Sequence, residues 1–167
     1  MPYRNKTYVA FDGDNDISYY RIMQAWRANG NVAFDFHNAH DLNSARDSSS
    51  EESIKSQLRI KMQNTKLFLL LVGNNTYRCT KFVKWEIESA IRIGLPIVVV
   101  NLNNKKQFDD DLCPSWLDEQ LAIHIPFKQK IIQYAIDKWP ESHNKLVEKE
   151  ESRSYFYEAS VYEKLGL

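Results

Sequence analysis

Residues 67–100 read LFLLLVGNNTYRCTKFVKWEIESAIRIGLPIVVV. Leu67–Val72 and Pro96–Val100 are short, apolar throughout and bounded by Gly73 and Pro96. Runs of that kind suit parallel strands buried on both faces. Between them, Phe82, Val83, Ile87 and Ala90 recur at helical spacing, Thr80 offers a cap, and Gly94 stops the run. The stretch therefore reads as one strand–helix–strand unit, and a parallel pair joined by a helix commits the chain to an α/β fold.

The same alternation extends outward. Thr7–Phe11 ends at Asp12-Gly13-Asp14, a turn signal, and Asn31–Phe36 follows Asn29-Gly30. Leu121–Ile125 ends at Pro126 and makes a fifth strand. Helical spacing appears at Tyr19, Ile22, Met23 and Trp26, and again at Ile54, Leu58 and Met62, the latter after a Ser49/Glu52 capping box. Ile131, Ile132, Ala135, Ile136 and Trp139 mark a last helix, read as ending at Pro140. Five strands with right-handed crossovers favour a flavodoxin-like three-layer sandwich, a five-stranded parallel sheet in the order 2-1-3-4-5. Ligands in such sheets bind beyond the carboxyl ends of the strands, here around Phe11–Asp14 and Gly73–Tyr77.

Composition narrows the function classes. The 167 residues are enough for one core, and 22 basic residues balance 22 acidic ones. That balance argues against nucleic acid or an anionic membrane surface as partner, and leaves self-association open. Cys79 and Cys113 form no paired framework, the amino-terminal residues have no apolar leader run, and no apolar stretch approaches a membrane span. A cytoplasmic protein is expected. His37, His40 and Asp41 do not make a convincing metal set, and no GxGxxG marks a redox dinucleotide site, so no metal is expected.

The helix at 80–93 holds the residue of most interest. At ~100° per residue, Lys81, Lys84, Glu88 and Arg92 group on one side. Glu86 falls opposite, among Phe82, Ala90 and Ile93. An inward carboxylate is costly unless it has a partner or lines a cavity. A structural ion-pair partner and a functional carboxylate are both open on spacing alone.

Here the chain resembles the Toll/interleukin receptor (TIR) domain family, in the branch found in bacterial defence proteins and above all in the Thoeris antiphage system. NAD-cleaving TIR domains carry Trp-x-x-x-Glu on this helix; the matching positions read Phe82-Val-Lys-Trp-Glu86, with Phe82 where the family has Trp and Trp85 one turn away. Lys6–Asp14 resembles the first TIR strand and loop, Phe34–Leu42 the second strand and BB loop, and Gly94–Val100 the fourth strand. The resemblance covers roughly residues 5–137. It implies a TIR-like domain over 1–140, with 141–167 as a helical extension packed on the domain or on a partner.

It also implies an enzyme, an NAD nucleosidase or ADP-ribosyl cyclase, with Glu86 as catalytic carboxylate. Phe11, Asp12, Gly13, Asp14, His37, Asn38, Phe82 and Trp85 would then contact substrate. Each also has a plain structural reading, as core, turn or loop. NAD is the substrate, no cofactor is implied, and the product would be a cyclic ADP-ribose isomer. That messenger would reach a separate effector protein, and a homo-oligomer could form on activation. Two other readings stand beside it: a non-catalytic TIR interaction module, and a hydrolase or transferase acting on nucleoside N-glycosides.

Overall fold

The computed structural model describes residues 6–30, 50–79 and 82–167. Its sheet comprises β1 (Lys6–Ala10), β2 (Thr65–Val72), β3 (Ile97–Asn101), β4 (Ala122–Pro126) and β5 (Ser154–Phe156), adjacent in that order. Every pair is parallel. The strands expected first, third, fourth and fifth from sequence are β1 to β4, side by side as the flavodoxin-like order requires. The expected second strand, Asn31–Phe36, lies outside the described residues.

Helices cover both faces. Along each strand alternate side chains go to opposite layers. Val9, Leu69, Val98 and Ile123 pack with α1 (Ile17–Ala28) and the helix Gln129–Glu148. Tyr8, Leu70, Val99 and Ala122 pack with α2 (Glu51–Gln63) and α3 (Phe82–Arg92). The central strands are buried on both sides, which is why they read as unbroken apolar runs.

Several local expectations shift. The cap of α2 is Ser50, one residue after Ser49: its hydroxyl accepts from the Ser53 amide at 3.2 Å. Thr80, the expected cap of α3, lies outside the described residues. Gly94 does end that helix, with a φ of +75°, and the Leu95 amide closes it on the Ala90 carbonyl. Ile22 and Ile93, placed inward by spacing, are 43% and 51% exposed; on α1 the buried face is built on Tyr20 and Met23 instead.

The larger correction lies at the carboxyl end. The helix read as stopping at Pro140 runs through it to Glu148 and is α4. A proline inside a helix costs ~3 kcal/mol. Trp139 on one side and His143 on the other stay buried, and the burial of Ile136, Trp139 and their neighbours offsets that cost at ~1.5–3 kcal/mol per large side chain. The tail is also not helical throughout. It contributes β5, paired to β4 through Ile123 and Tyr155, before a short α5 (Ala159–Lys164). Ser152 and Ser154 tie it to the 3-10 turn Ser115–Glu119, and Tyr162 enters the core. Among the described residues no helix is long and apolar enough to cross a membrane.

Candidate functional site

Helix α3 presents Val83, Ile87 and Ala90 to the sheet, and Glu86 lies buried beside them at 3% exposure. The inward turn deduced from spacing is therefore real. On the opposite side Glu88 is exposed, with Lys84 at 4.0 Å. The hydroxyl of Tyr8 on β1 donates to Glu86 Oε2 at 2.7 Å. Tyr8 is itself fully buried and stacks on Phe68, ring centroids 5.5 Å apart. A helix carboxylate is thus held against β1 by a buried, stacked phenol.

The loop after β1 brings more acid to the same edge of the sheet. Asp12 is buried and serves its own turn: Oδ1 accepts from the Asp14 amide at 3.1 Å and Oδ2 from the Asn15 side chain at 2.6 Å. Asp16 follows as the N-cap of α1, yet its carboxylate makes no capping bond. It is 5% exposed, and Oδ2 has no hydrogen-bond partner among the described residues. Burial, with the charge of Asp12, pushes its pKa up to about 6.

Cys79 connects this loop to the helix. Burial first, then the charges of Asp12, Asp16, Asp14 and Glu86, push its thiol up to about 11. A thiol so placed stays protonated near neutrality and is a poor nucleophile. The charges of Asp12, Asp14, Asp16 and Glu86 are thus all felt at one half-buried sulfur. An edge so acidic favours cationic or neutral hydroxylated groups. Among the described residues no three His, Cys, Asp or Glu side chains are placed to hold a metal ion.

The remaining candidates divide. Phe11 turns to the other layer, where it stacks on Tyr20 at 4.9 Å and is 4% exposed. It does not share a face with Glu86. Phe82 is half-buried on the Glu86 layer. Trp85 packs toward α2, with Lys55 and Arg59 5.8 and 5.4 Å from its ring. Gly13 and Asp14 lie on the rim; His37 and Asn38 lie outside the described residues.

Asp16 was not singled out from sequence. The signal available was an Asp at a helix start, which ordinarily means a cap. Only the fold shows that Gly73, at the end of β2, sits directly against its carboxylate, where any side chain would collide with it.

A protein-family model described as Thoeris protein ThsB, TIR-like domain, matches residues 8–107, more than half of the chain. The match takes in Tyr8, the Asp12–Asp16 loop and Glu86. No curated protein matches the chain.

Proposed function

The chain belongs to the TIR-like domain family of the Thoeris protein ThsB, and on that footing we propose that it cleaves the nicotinamide–ribose bond of NAD as a signal-producing enzyme of antiphage defence. The observation that carries the reading is Glu86: a carboxylate buried on α3 and held by Tyr8 of β1, the strand whose following loop carries Asp12 and Asp16.

The chemistry asks little of the protein besides charge and position. Nicotinamide leaves NAD as a neutral base, so its expulsion needs no general acid. Positive charge grows on the ribose as the bond breaks, and a fixed carboxylate beside the sugar stabilises it. Glu86 takes that role. Tyr8 keeps the carboxylate oriented by donating to it. Water as nucleophile yields ADP-ribose; a hydroxyl or ring nitrogen of the adenosine half yields a cyclic isomer when the substrate is folded in a site closed to water. The cyclic product is the reading adopted here, as a messenger for a separate effector protein.

One observation favours a second reading. A carboxylate satisfied by a buried tyrosine also suits a domain that only assembles with others of its kind. The deciding experiment incubates the full chain with NAD, alone and with lysate from infected cells, and identifies products by mass spectrometry. Nicotinamide together with a cyclic ADP-ribose isomer supports the enzyme. Intact NAD under both conditions supports the assembly module.

A further inference from the structure

A cavity of about 250 Å³ opens at the carboxyl ends of β1, β2 and β3. Asp16 and Tyr19 of the α1 end, Gly73 and Asn74 after β2, and Leu102 and Asn103 after β3 form its walls. Clefts for drug-sized ligands are ~300–1,000 Å³, so this one holds a single ring and not a whole dinucleotide. Its far wall is built in advance: Asp109 accepts from the Asn103 amide at 2.7 Å, and Asn103 Oδ1 accepts from the Lys105 amide at 3.2 Å.

Asp16 is the unexplained member. It occupies an N-cap and makes no capping bond, although such a bond is worth ~1 kcal/mol. It is more than nine-tenths buried, with Oδ2 unpartnered among the described residues. A buried polar oxygen in that condition is costly unless a ligand supplies the donor. Asp12, the more obvious choice for a ligand hydroxyl, has spent both oxygens on its own turn.

We propose that this cavity is the subsite for a ribose ring and that Asp16 accepts a hydrogen bond from one of its vicinal hydroxyls. Carboxylates meet ribose hydroxyls in this way in other doubly wound dinucleotide-binding folds. Asn74 adds an amide donor and acceptor suited to a second hydroxyl. Free phosphate is disfavoured in the ring pocket itself, because Asp16 and its neighbour Asp12 carry the same sign of charge. Burial raises the Asp16 pKa, and a ligand hydroxyl relieves that burial cost by solvating the carboxylate in place of water. Naming the ring as the ribose of NAD rests on the function proposed above; the hydroxylated class does not.

The test follows amide resonances of the ¹⁵N-labelled full chain during titration with adenosine, 2′,3′-dideoxyadenosine and inorganic phosphate. Adenosine shifts Gly73, Asn74 and Asn103, and the dideoxy analogue binds at least tenfold more weakly. Asp16→Asn weakens adenosine binding at least fivefold. So does Gly73→Ala, which leaves the carboxylate in the chain but pushes it aside. Equal affinity for the two nucleosides, or the same shifts with phosphate, overturns the proposal without any variant having to fold. NAD cleavage is measured alongside. Hydroxyl-dependent binding with no cleavage removes only the enzymatic reading. Cleavage with an unchanged KM in Asp16→Asn removes only this subsite.

Discussion

The phenol of Tyr8 and the carboxylate of Glu86 meet at 2.7 Å across the gap between β1 and α3. Tyr8 is fully buried and Glu86 is 3% exposed, so neither gains much from solvent. Hydrogen bonds to a charged partner are worth ~1.5–3 kcal/mol. The pair therefore fixes where the carboxyl group sits, and its two members are separable by substitution.

Glu86→Gln keeps the shape and hydrogen-bonding capacity of the side chain but removes its charge. Product formation should fall by over a hundredfold, equivalent to about 3 kcal/mol or more of transition-state stabilisation. The melting temperature should change little. Glu88→Gln, on the exposed side of α3, should leave both unchanged. Product yield and thermal melts on the three proteins decide it; near wild-type yield from Glu86→Gln removes the catalytic role.

Tyr8→Phe leaves the stack on Phe68 and deletes only the donor. The domain should lose ~1.5–3 kcal/mol in urea unfolding. If Tyr8 positions the catalytic carboxylate, kcat should drop roughly tenfold or more with KM little altered. A stability loss with kcat and KM both unmoved would mark Tyr8 as structural only.

Asp16 gives the protein a pH signature of its own. Its carboxyl titrates at about 6 in the fold, raised from an ordinary value of 3.8. Between those values the folded state holds a proton that the unfolded chain has released, so stability falls as pH rises. The loss is complete above pH ~6. Asp16→Asn should therefore stabilise the ligand-free protein at pH 7.5 and do so much less at pH 4.5. Urea melts at the two values check it; an equal gain at both would disprove the assignment.

His124 on β4 runs the other way. It is fully buried beside Phe108, with neither ring nitrogen hydrogen-bonded among the described residues. Burial lowers its pKa from 6.5 to about 4, against the opposing pull of Asp118. The unfolded chain takes up a proton that the fold refuses, so stability is full above pH ~6.5 and is lost as pH falls towards 4, by roughly 3 kcal/mol. His124→Phe should flatten stability over that range. A variant as acid-sensitive as wild type would place the lability elsewhere.

What the sequence disclosed follows from how each feature is encoded. Strands buried on both sides are apolar at every position, so β2 and β3 are legible within six residues. Glu86 is legible because 100° per residue sorts it from Glu88 with no knowledge of the rest of the fold. β5 is three residues long, too short for any period to show, and exists because β4 offers an edge. Pro140 punctuates the local pattern correctly, yet burial along the length of α4 overrides it. Phe11 reads as the tip of a strand, but which layer it enters depends on register. Asp16 stayed hidden for a deeper reason: its importance lies in an encounter with Gly73, 57 residues away, that no local spacing encodes.

The pairing of β5 with β4 has a bearing on how the molecule is made. Ala122–Pro126 and Ser154–Phe156 are separated by a 20-residue helix and its flanking turns. While the chain is being synthesised, β4 waits with one row of backbone donors and acceptors unpaired until residues 154–156 have left the ribosome. An open strand edge is a template for other chains. A three-residue clasp, sewn down by Ser152 and Ser154, is what stands between that edge and aggregation, so the nascent chain is most vulnerable in the interval after β4 emerges and before its clasp arrives.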